Sequence, residues 1–477
     1  MVSQPAASYN HERPSSHSVE VTMRRCLISL VALPLLLLIP DTIRAERDWN
    51  CGVAKVNITP RSPMWMSGYA SRNHPAEGTL TKLWAKAVVL QIAQEKRSRM
   101  VLVTLDLLGI DRALSQRIRD RICKTHRLEY FQVHLACSHT HTGPIVAGNL
   151  RPMHYMLLDE TAQKQVDDYA KFLEECVAEA VATAYNNNRY CTLEYGVGKA
   201  TFAVNRRNNP ENDVASLRQT GKLVGPFDHD VPVLIAKYGK KPAAIIFGYA
   251  CHATVLSFYR WSGDYPGFAQ IEVEKQFPDC IAMFWAGCGG DQNPLPRRKV
   301  ELAQQYGKQL ADAVGEVVNG KTKNLTRSVE SSYEEIDLPL GNLPTREELE
   351  QNAQSKNKYE QSRAKHLLKV LDREGKLPQT YPYPIGKWIL GGEVEWIFLG
   401  GEVTIDYAVR LKLESKAVST WVTAYTDDVM AYIPSRRVLG EGGYEGATSM
   451  IYYGLPTTWS PEIEEAIIKA ALKQPAK

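Results

Sequence analysis

One stretch of the chain reads Cys137-Ser138-His139-Thr140-His141-Thr142-Gly143-Pro144, directly after a run rich in strand-forming residues at 130–135. Two histidines at positions i and i+2 point to opposite faces if the strand continues. If the chain turns, as Gly143-Pro144 indicates, both imidazoles can face one cleft. His139 could then bind a metal while His141 handles a proton beside it. The pattern alone leaves open a polar strand end whose histidines are only hydrogen-bonded.

Strand-like and helix-like segments alternate on both sides of this stretch, which predicts an α/β fold with mixed β-sheets flanked by helices. Candidate site residues lie on both sides of a weak boundary near 319–327, so residues 46–477 are predicted to form a single large catalytic domain. The main predicted strands are 51–60, 84–92, 100–107, 192–204, 231–238, 243–250, 280–285, 393–399 and 421–432. The predicted helices are 111–124, 159–185, about ten residues from 263, 300–318, 345–373, 403–413 and 461–472, with a glycine-rich loop at 440–446.

The N-terminus has the pattern of a secretory signal. Residues 1–22 are polar, Met23-Arg24-Arg25 opens an apolar run over 26–40, and Ile43-Arg44-Ala45 follows. A basic start, an apolar middle and a small residue at the end predict that residues 1–45 are an extension and signal peptide, with Met1 or Met23 as the start. The alternative is a membrane anchor at 26–40, although that run is short for a full span. The mature protein is therefore predicted to be exported, secreted or periplasmic.

Charge and cysteine usage exclude several classes of partner and site. The net charge is +4, and removing the first 45 residues, with four Lys/Arg and three Asp/Glu, leaves 53 basic against 50 acidic residues. This balance predicts no nucleic-acid partner and no strongly acidic one. Cysteines are present, but none forms a Cys-x-x-Cys pair, so a thiolate zinc site is not expected.

Polar residues recur where the predicted apolar strands end, which is where α/β proteins place ligand sites. Two separated histidines and one carboxylate are a typical ligand set for catalytic zinc, which keeps one position open for water. From composition alone this remains a hypothesis. The residues are His139, His141, Asn205, Arg206, His252, Asp291, Glu402 and Tyr432.

Six short motifs in the same order resemble the catalytic domain of the neutral, non-lysosomal ceramidases, zinc amidases that cleave the N-acyl bond of ceramide. The resemblance runs from about residue 53 to residue 454. The first motif, from His139 to Pro144, is similar to the family's His-Thr-His-Ser-Gly-Pro. The others are Asn205-Arg206, His252-Ala253-Thr254, Ser262-Gly263-Asp264, Gly401-Glu402, and Tyr432 placed twelve residues before Tyr444-Glu445-Gly446.

The resemblance implies a role for each matching residue and Zn²⁺ as the cofactor. Zinc-activated water would attack the amide carbonyl, Arg206 and Tyr444 would stabilise the oxyanion, and His141 would pass a proton to the leaving amine. Asp264 and Asp291 would shape loops or orient ligands. The implied zinc ligands are His139, His252, Glu402 and Tyr432.

Two departures from the family pattern limit what the resemblance implies. The family carries Gly-Asp-x-Ser-Pro-Asn after its central strand, and here the serine position is Asn293, which cannot be a nucleophile. The chain also stops soon after the family's catalytic domain, so we expect no C-terminal β-sandwich. The first departure rules out a serine mechanism but leaves a zinc-hydroxide mechanism open, and the second weakens ceramide as the substrate. A zinc amidase-like hydrolase is therefore better supported than a ceramidase.

Three functions therefore stay open at the level of sequence. The first is an exported zinc amidase acting on an N-acyl, ceramide-like lipid or another small-molecule amide, with possible peripheral membrane contact. The second keeps the metal but hydrolyses another amide or an ester. The third is a non-catalytic binding protein that retains the fold, which the Asn293 departure favours and the intact predicted ligands oppose.

Overall fold

The computed structural model describes residues 48–473. The predicted signal peptide and the alternative membrane anchor at 26–40 lie outside the described residues. Between residues 48 and 473, no helix combines the length and the apolar character needed to cross a membrane.

Strands and helices are mixed along the whole described chain, so the predicted α/β class with mixed sheets is confirmed. The strands are β1 (Trp49–Asn57), β2 (Gly78–Thr79), β3 (Trp84–Ile92), β4 (Met100–Leu105), β5 (Val133–Cys137), β6 (Arg189–Lys199), β7 (Ala203–Asn205), β8 (Asp230–Tyr238), β9 (Lys241–Tyr249), β10 (Arg260–Trp261), β11 (Ile281–Ala286), β12 (Gln292–Pro294), β13 (Lys323–Asn324), β14 (Val329–Pro339), β15 (Thr380–Leu390), β16 (Val394–Leu399), β17 (Glu402–Val403), β18 (Ser419–Thr423) and β19 (Tyr432–Ile433).

The α-helices begin and end close to the predicted bounds in most cases. They are α1 (Arg112–His126), α2 (Glu160–Asn186), α3 (Val214–Gln219), α4 (Asp264–Gln276), α5 (Val300–Asn319), α6 (Arg346–Asn352), α7 (Lys358–Glu374), α8 (Ile405–Glu414), α9 (Arg436–Glu441), α10 (Met450–Tyr453) and α11 (Ile463–Leu472), and a π-helical turn covers Tyr444–Thr448.

Two mixed sheets stack face to face between two layers of helices. The large sheet has the order β11-β9-β8-β6-β1-β3-β4-β5, with β13 also paired to β6, and the small sheet has the order β14-β15-β16-β18. Helices α2, α4 and α5 cover the outer face of the large sheet, and α8 and α11 cover the small sheet. Alternate residues of each strand face the core between the sheets, as the period of two requires.

Tryptophans fill the core between the two sheets. The ring of Trp396 lies 5.9 Å from Trp388, 5.3 Å from Trp421 and 5.7 Å from Trp285 of the large sheet, measured between ring centroids. Burying such large apolar side chains is the main stabilising contribution at this interface. On the opposite face, Gly52 of β1 lets helix α2 approach so closely that a Cβ atom would meet the backbone of Ala184.

The large sheet is curled, and this curl positions the site. Its two edge strands, β5 and β11, contact each other although they are the ends of the strand order. Segment 423–426 joins these edges, because Thr426 pairs with Ala136 of β5 and Thr423 pairs with Gly287 after β11. The ends of β5, β9 and β11 therefore meet at one point, next to the loop that carries Glu402.

The structure corrects several predicted elements. The predicted glycine-rich loop at 440–446 is helix α9, a break at Gly442 and Gly443 with φ values of 67° and 75°, and then the π-helical turn. The predicted helix 345–373 is two helices, because the side chain of Asn357 caps a new helix by accepting from Tyr359 N. The predicted strand 192–204 is interrupted between β6 and β7, and the predicted strand region 421–432 is interrupted after β18.

Strand β15 was not predicted. It contains Pro382 and Pro384, and proline usually indicates the end or the edge of a strand. Pairing with β16 begins only at Ile385, after both prolines, so on that side of β15 the missing N–H groups cost no ladder hydrogen bond.

Candidate metal centre

The predicted turn after β5 is present and aims both histidines of the His-x-His pair into one cleft. The strand ends at Cys137, and His139 has a φ of 58°, in the left-handed region that non-glycine residues rarely adopt. Thr140 then pairs with Ala253, the neighbour of His252. A backbone held in such a conformation costs about 1–3 kcal/mol and is commonly found at functional sites.

Each of the three histidines donates its Nδ1 proton to a backbone carbonyl. Because a carbonyl oxygen only accepts, Nδ1 must carry the proton, and in the neutral ring Nε2 then carries the free lone pair. The three bonds run from His139 to Leu108 (2.7 Å), from His141 to Gly68 (3.1 Å) and from His252 to Gly289 (2.5 Å).

The three imidazoles converge, and a carboxylate lies among them. One ligand nitrogen from each of His139, His141 and His252 lies within 4.8 Å of the others, and the Nε2 atoms of His139 and His141 are 3.2 Å apart. Glu402 Oε2 lies 3.0 Å from Nε2 of both His139 and His252. Among the described residues, no hydrogen-bond donor reaches this buried Oε2 atom.

The protonation states leave lone pairs facing one another. Burial lowers the pKa of His252 to about 4 and holds the pKa of His141 well below its ordinary value, so both rings are neutral at pH 7. Buried acceptors without a donor are costly, and a metal ion would satisfy them. These residues therefore fit a metal ion.

Tyr432 lies beside Glu402 because strands β17 and β19 pair in parallel with these two residues in register. Its hydroxyl oxygen is 3.3 Å from His252 Nε2. Burial, together with the Glu402 carboxylate, raises the pKa of Tyr432 well above its ordinary value. Gly401 makes the turn possible, since its φ is 74° and a Cβ atom there would meet the carbonyl oxygen of Ala431.

Of the two neighbouring arginines, the structure places Arg206 at the centre. Its Nη2 atom donates to the hydroxyl of Tyr432 at 3.1 Å, and its Nε atom donates to Glu445 at 2.7 Å. Arg207 instead binds Glu441 and the other oxygen of Glu445. The buried Glu445 carboxylate therefore holds both guanidinium groups in place.

Two cavities adjoin the centre. A cavity of about 490 Å³ is lined by Arg206, Asn293 and Tyr444, and the Tyr444 side chain is 44% exposed. A second cavity has a volume of about 340 Å³, and Tyr69 forms part of its wall. The ring of Tyr69 lies 4.9 Å from the ring of His141, which connects this cavity to the centre. The wall of the second cavity is mixed: it combines apolar side chains with the polar or charged side chains of Arg72, Asn73, His154, Asp159 and Lys358. The apolar part includes Trp65, Met66, Ile145, Met153, Leu157 and Leu158.

The two aspartates hold loops in position, and neither is hydrogen-bonded to one of the three histidines. Asp291 accepts from Ile405 N at 2.9 Å and from Asn205 Nδ2 at 3.0 Å, which ties the β11 loop to helix α8 and to the residue before Arg206. Asp264 accepts from Leu256 N at 2.8 Å and shapes the loop after His252. The Cys288 thiol is buried, and burial raises its pKa, so it is unreactive.

The sequence has a clear family affiliation. Residues 49–294, more than half of the 477-residue chain, match the family model described as neutral/alkaline non-lysosomal ceramidase, N-terminal. The chain belongs to this family. The matched range contains His139, His141, Arg206 and His252, whereas Glu402 lies beyond it.

Individual ceramidases match over different shares of their length. Neutral ceramidase 2 of Arabidopsis thaliana is 24% identical over 264 residues, which is 53% of this chain and only 33% of the plant protein. A structure of a ceramidase complexed with C2 has a TM-score of 0.68 at 16% identity, covering 90% of this chain and 77% of that one. The crystal structure of neutral ceramidase from Pseudomonas aeruginosa has a TM-score of 0.68 at 18% identity, covering 90% and 75%. These similarities establish the fold.

Two tyrosines contact the centre of this ceramidase-family chain but were not predicted from the sequence. Tyr425 stacks on His139 with ring centroids 4.2 Å apart, and Tyr453 donates its hydroxyl proton to Oε1 of Glu402. Tyr425 was missed because the segment was predicted as a strand region, whereas its φ of 54° marks a turn. Tyr453 follows Tyr452 in a short helix, and no sequence signal distinguishes the two.

We expect Tyr453→Phe to weaken metal binding without changing the fold. The hydroxyl of Tyr453 satisfies Oε1 of Glu402 and so orients Oε2 toward the histidines. Loss of such an orienting partner lowers metal affinity about 10–100-fold. Competition with a chelator measures the affinity, and Tyr452→Phe, one residue away on α10, is the matched control. An unchanged affinity in Tyr453→Phe would show that Glu402 needs no orientation by this tyrosine.

Proposed function

We propose that this chain is an exported zinc-dependent amidase that hydrolyses the N-acyl bond of a ceramide-like lipid. The observation that carries the proposal is the convergence of unprotonated imidazole nitrogens on the buried Oε2 atom of Glu402. Neutral histidines and a carboxylate are the ligand types that catalytic zinc prefers. In this proposal His139, His252, Glu402 and Tyr432 hold the metal.

The remaining site residues provide binding and proton transfer. Zinc, when bound, polarises the amide carbonyl and lowers the pKa of a water molecule to about 7. Arg206 has five N–H hydrogens, and four of them bind Glu445, Asn293, Gly290 and Tyr432, which leaves one on Nη1 for a substrate oxygen. Tyr444 lies beside it, with its ring 5.4 Å from the ring of Tyr432. Both side chains can donate to the developing oxyanion.

His141 is suited to the proton transfer that releases the amine. Its Nδ1 proton is bound to Gly68, so proton exchange takes place at Nε2, on the side of the metal centre. Arg72 donates to the backbone carbonyl of His141 at 2.7 Å and keeps the loop in position. In this reaction water adds to the carbonyl carbon, the C–N bond breaks, and the nitrogen leaves as a free amine.

A lipid substrate is supported by the apolar part of the cavity beside His141. Its lining of aromatic, leucine and methionine side chains suits an alkyl chain, because burying each CH₂ group contributes about 0.8 kcal/mol. The polar cavity at Arg206 suits a hydroxylated head group. Ceramide is therefore the first substrate to test, together with peripheral contact to a membrane that supplies it.

The test measures metal and product in the same preparation. The full chain is purified, its metal content is determined, and release of sphingosine from an N-acyl sphingosine is followed before and after chelation. We expect about one zinc per chain, and we expect activity that disappears with the chelator and returns with zinc. A folded protein that binds no zinc even when zinc is supplied would refute the proposal.

A second candidate is a zinc hydrolase of another amide or of an ester. It is favoured by the strongly polar cavity, where Arg206, Arg207 and Arg297 stand with Glu211 and Glu445. It is also favoured by Asn293 at the position of the family serine. Zinc-dependent turnover of small polar amides or esters, without turnover of N-acyl sphingosine, would support this candidate over a lipid amidase.

Export and domain organisation complete the proposal. The basic, apolar and small-residue segments at 23–45 support a cleaved signal peptide, and residues 46–477 would then be the hydrolase. N-terminal sequencing of protein recovered from the exported fraction is expected to begin near residue 46. A mature protein that retains residues 26–40 and sediments with membranes would favour the anchor instead.

A further inference from the structure

Asn293 occupies the position of the family serine, and its surroundings give it a binding role. It lies on β12, opposite Val204 of β7, and it is only 4% exposed. Its side chain nevertheless forms part of the wall of the 490 Å³ cavity, together with Arg206 and Tyr444. Buried polar groups normally have hydrogen-bond partners, so the partners of this amide indicate how it is oriented.

The orientation of the Asn293 amide is fixed by its neighbours. Arg206 Nη1 donates to Asn293 Oδ1 at 3.2 Å, and the hydroxyl of Thr254 donates to the same atom at 3.4 Å. Because a guanidinium group can only donate, the oxygen must face Arg206 and the Nδ2 group must face away from it. Within residues 48–473, no protein acceptor takes up the two N–H groups of Nδ2.

The Asn293 amide is separated from the metal centre by the guanidinium group of Arg206. Arg206 bridges the two sites, since its Nη1 atom binds Asn293 and its Nη2 atom binds the hydroxyl of Tyr432, which is 3.3 Å from His252 Nε2. A substrate whose amide carbonyl lies at the metal centre would therefore place its neighbouring substituents near Asn293. An oxygen among those substituents would accept from Nδ2.

We infer that Asn293 is a substrate-binding residue that selects N-acyl amino alcohols by donating from Nδ2 to a hydroxyl oxygen of the head group. The inference rests on the proposed function and assigns a specificity-determining contact within that site. A serine at this position would offer a single, shorter donor, whereas the asparagine offers two N–H groups and a longer reach. A substrate without the hydroxyl would displace solvent from Nδ2 without offering it an acceptor, and a site that hydrogen-bonds a hydroxyl discriminates against such a substrate.

The experiment compares two amides that share one acyl chain. One is an N-acyl sphingosine, and the other is the corresponding N-acyl octadecylamine, which lacks both hydroxyls. Their kcat/KM values are measured for the wild type, Asn293→Ala and Asn293→Ser, and the dissociation constants are measured with metal-free protein. We expect Asn293→Ala to lower the ratio of kcat/KM for the hydroxylated amide to kcat/KM for the unhydroxylated amide about tenfold, in addition to any loss that both amides share through Arg206. The substrate preference of Asn293→Ser should lie between that of the wild type and that of Asn293→Ala.

The readout separates binding from a structural role. If Asn293 only supported Arg206, both substrates would lose activity equally and their ratio would not change, and that result would overturn the inference. Equal metal content in all three proteins excludes damage to the ligands. A wild type that neither binds nor hydrolyses N-acyl sphingosine would refute the proposed function and the inference with it. An unchanged ratio in an active Asn293→Ala enzyme refutes the inference alone.

Discussion

Replacing His252 with alanine is expected to abolish zinc binding and to lower kcat/KM by about 10³-fold or more. His252 Nε2 contacts both Glu402 and the Tyr432 hydroxyl, so the substitution removes the proposed ligand that lies next to two others. The loss corresponds to several kcal/mol of charge stabilisation that zinc supplies in the reaction. Metal analysis of the purified variant, beside the amidase assay, measures both effects.

Thermal unfolding distinguishes loss of the metal from loss of the fold. A ligand at 100 times its dissociation constant stabilises the folded state by about 2.7 kcal/mol. Zinc should therefore raise the unfolding temperature of the wild type but not that of His252→Ala. The matched control is His126→Ala, because His126 stacks on Tyr185 at the end of α1 and belongs to another part of the fold. Full zinc content in His252→Ala would contradict the proposed ligand set.

Arg206→Lys is expected to lower kcat about 10²–10³-fold while leaving the metal content unchanged. The lysine keeps the positive charge beside Glu445 but cannot reproduce the planar donor geometry that also reaches Asn293, Gly290 and Tyr432. Loss of one preorganised oxyanion donor typically has an effect of this size. The test therefore measures kcat and zinc content in the same preparation of Arg206→Lys, and we expect kcat to fall while the zinc content stays at the wild-type level.

The neighbouring residue provides the control for this substitution. Arg207→Lys alters a side chain that binds the same Glu445 carboxylate but otherwise contacts Glu441 and the Gly442 carbonyl. We expect a much smaller effect on kcat, because Arg207 does not contact Tyr432. Comparable losses in both variants would mean that Glu445, rather than the donor geometry of Arg206, controls the rate.

Much of the fold was predictable because local pattern and tertiary context agree. The apolar strand β3 and the amphipathic helix α5 show their period directly in the sequence. The turn after β5 was also predictable, since Gly143-Pro144 cannot continue a strand. Motif order in the sequence suggested which residues belong to one site, although local spacing could not show how close they lie.

The rest depends on contacts that no local pattern encodes. Strand β15 is a strand despite two prolines, because β14 and β16 pair with it from both sides. Tyr425 and Tyr453 reach the centre through backbone turns and a short helix, and their identities alone do not distinguish them from other buried tyrosines. Motif order predicted Arg206 as the site residue, but its hydrogen bond to the hydroxyl of Tyr432 is visible only in the structure.

The curled sheet also determines when, during folding, the metal centre can form. His139 and His252 follow strands of the large sheet, but Glu402 and Tyr432 belong to a much later part of the chain and arrive through segment 423–426. Contacts this distant in sequence form slowly, because a long loop must close before they contribute. A fragment ending at residue 294 would match the family model and still lack half of the proposed ligands. Tight metal binding would therefore require that both halves of the chain have folded together. The first half alone could not serve as a minimal enzyme.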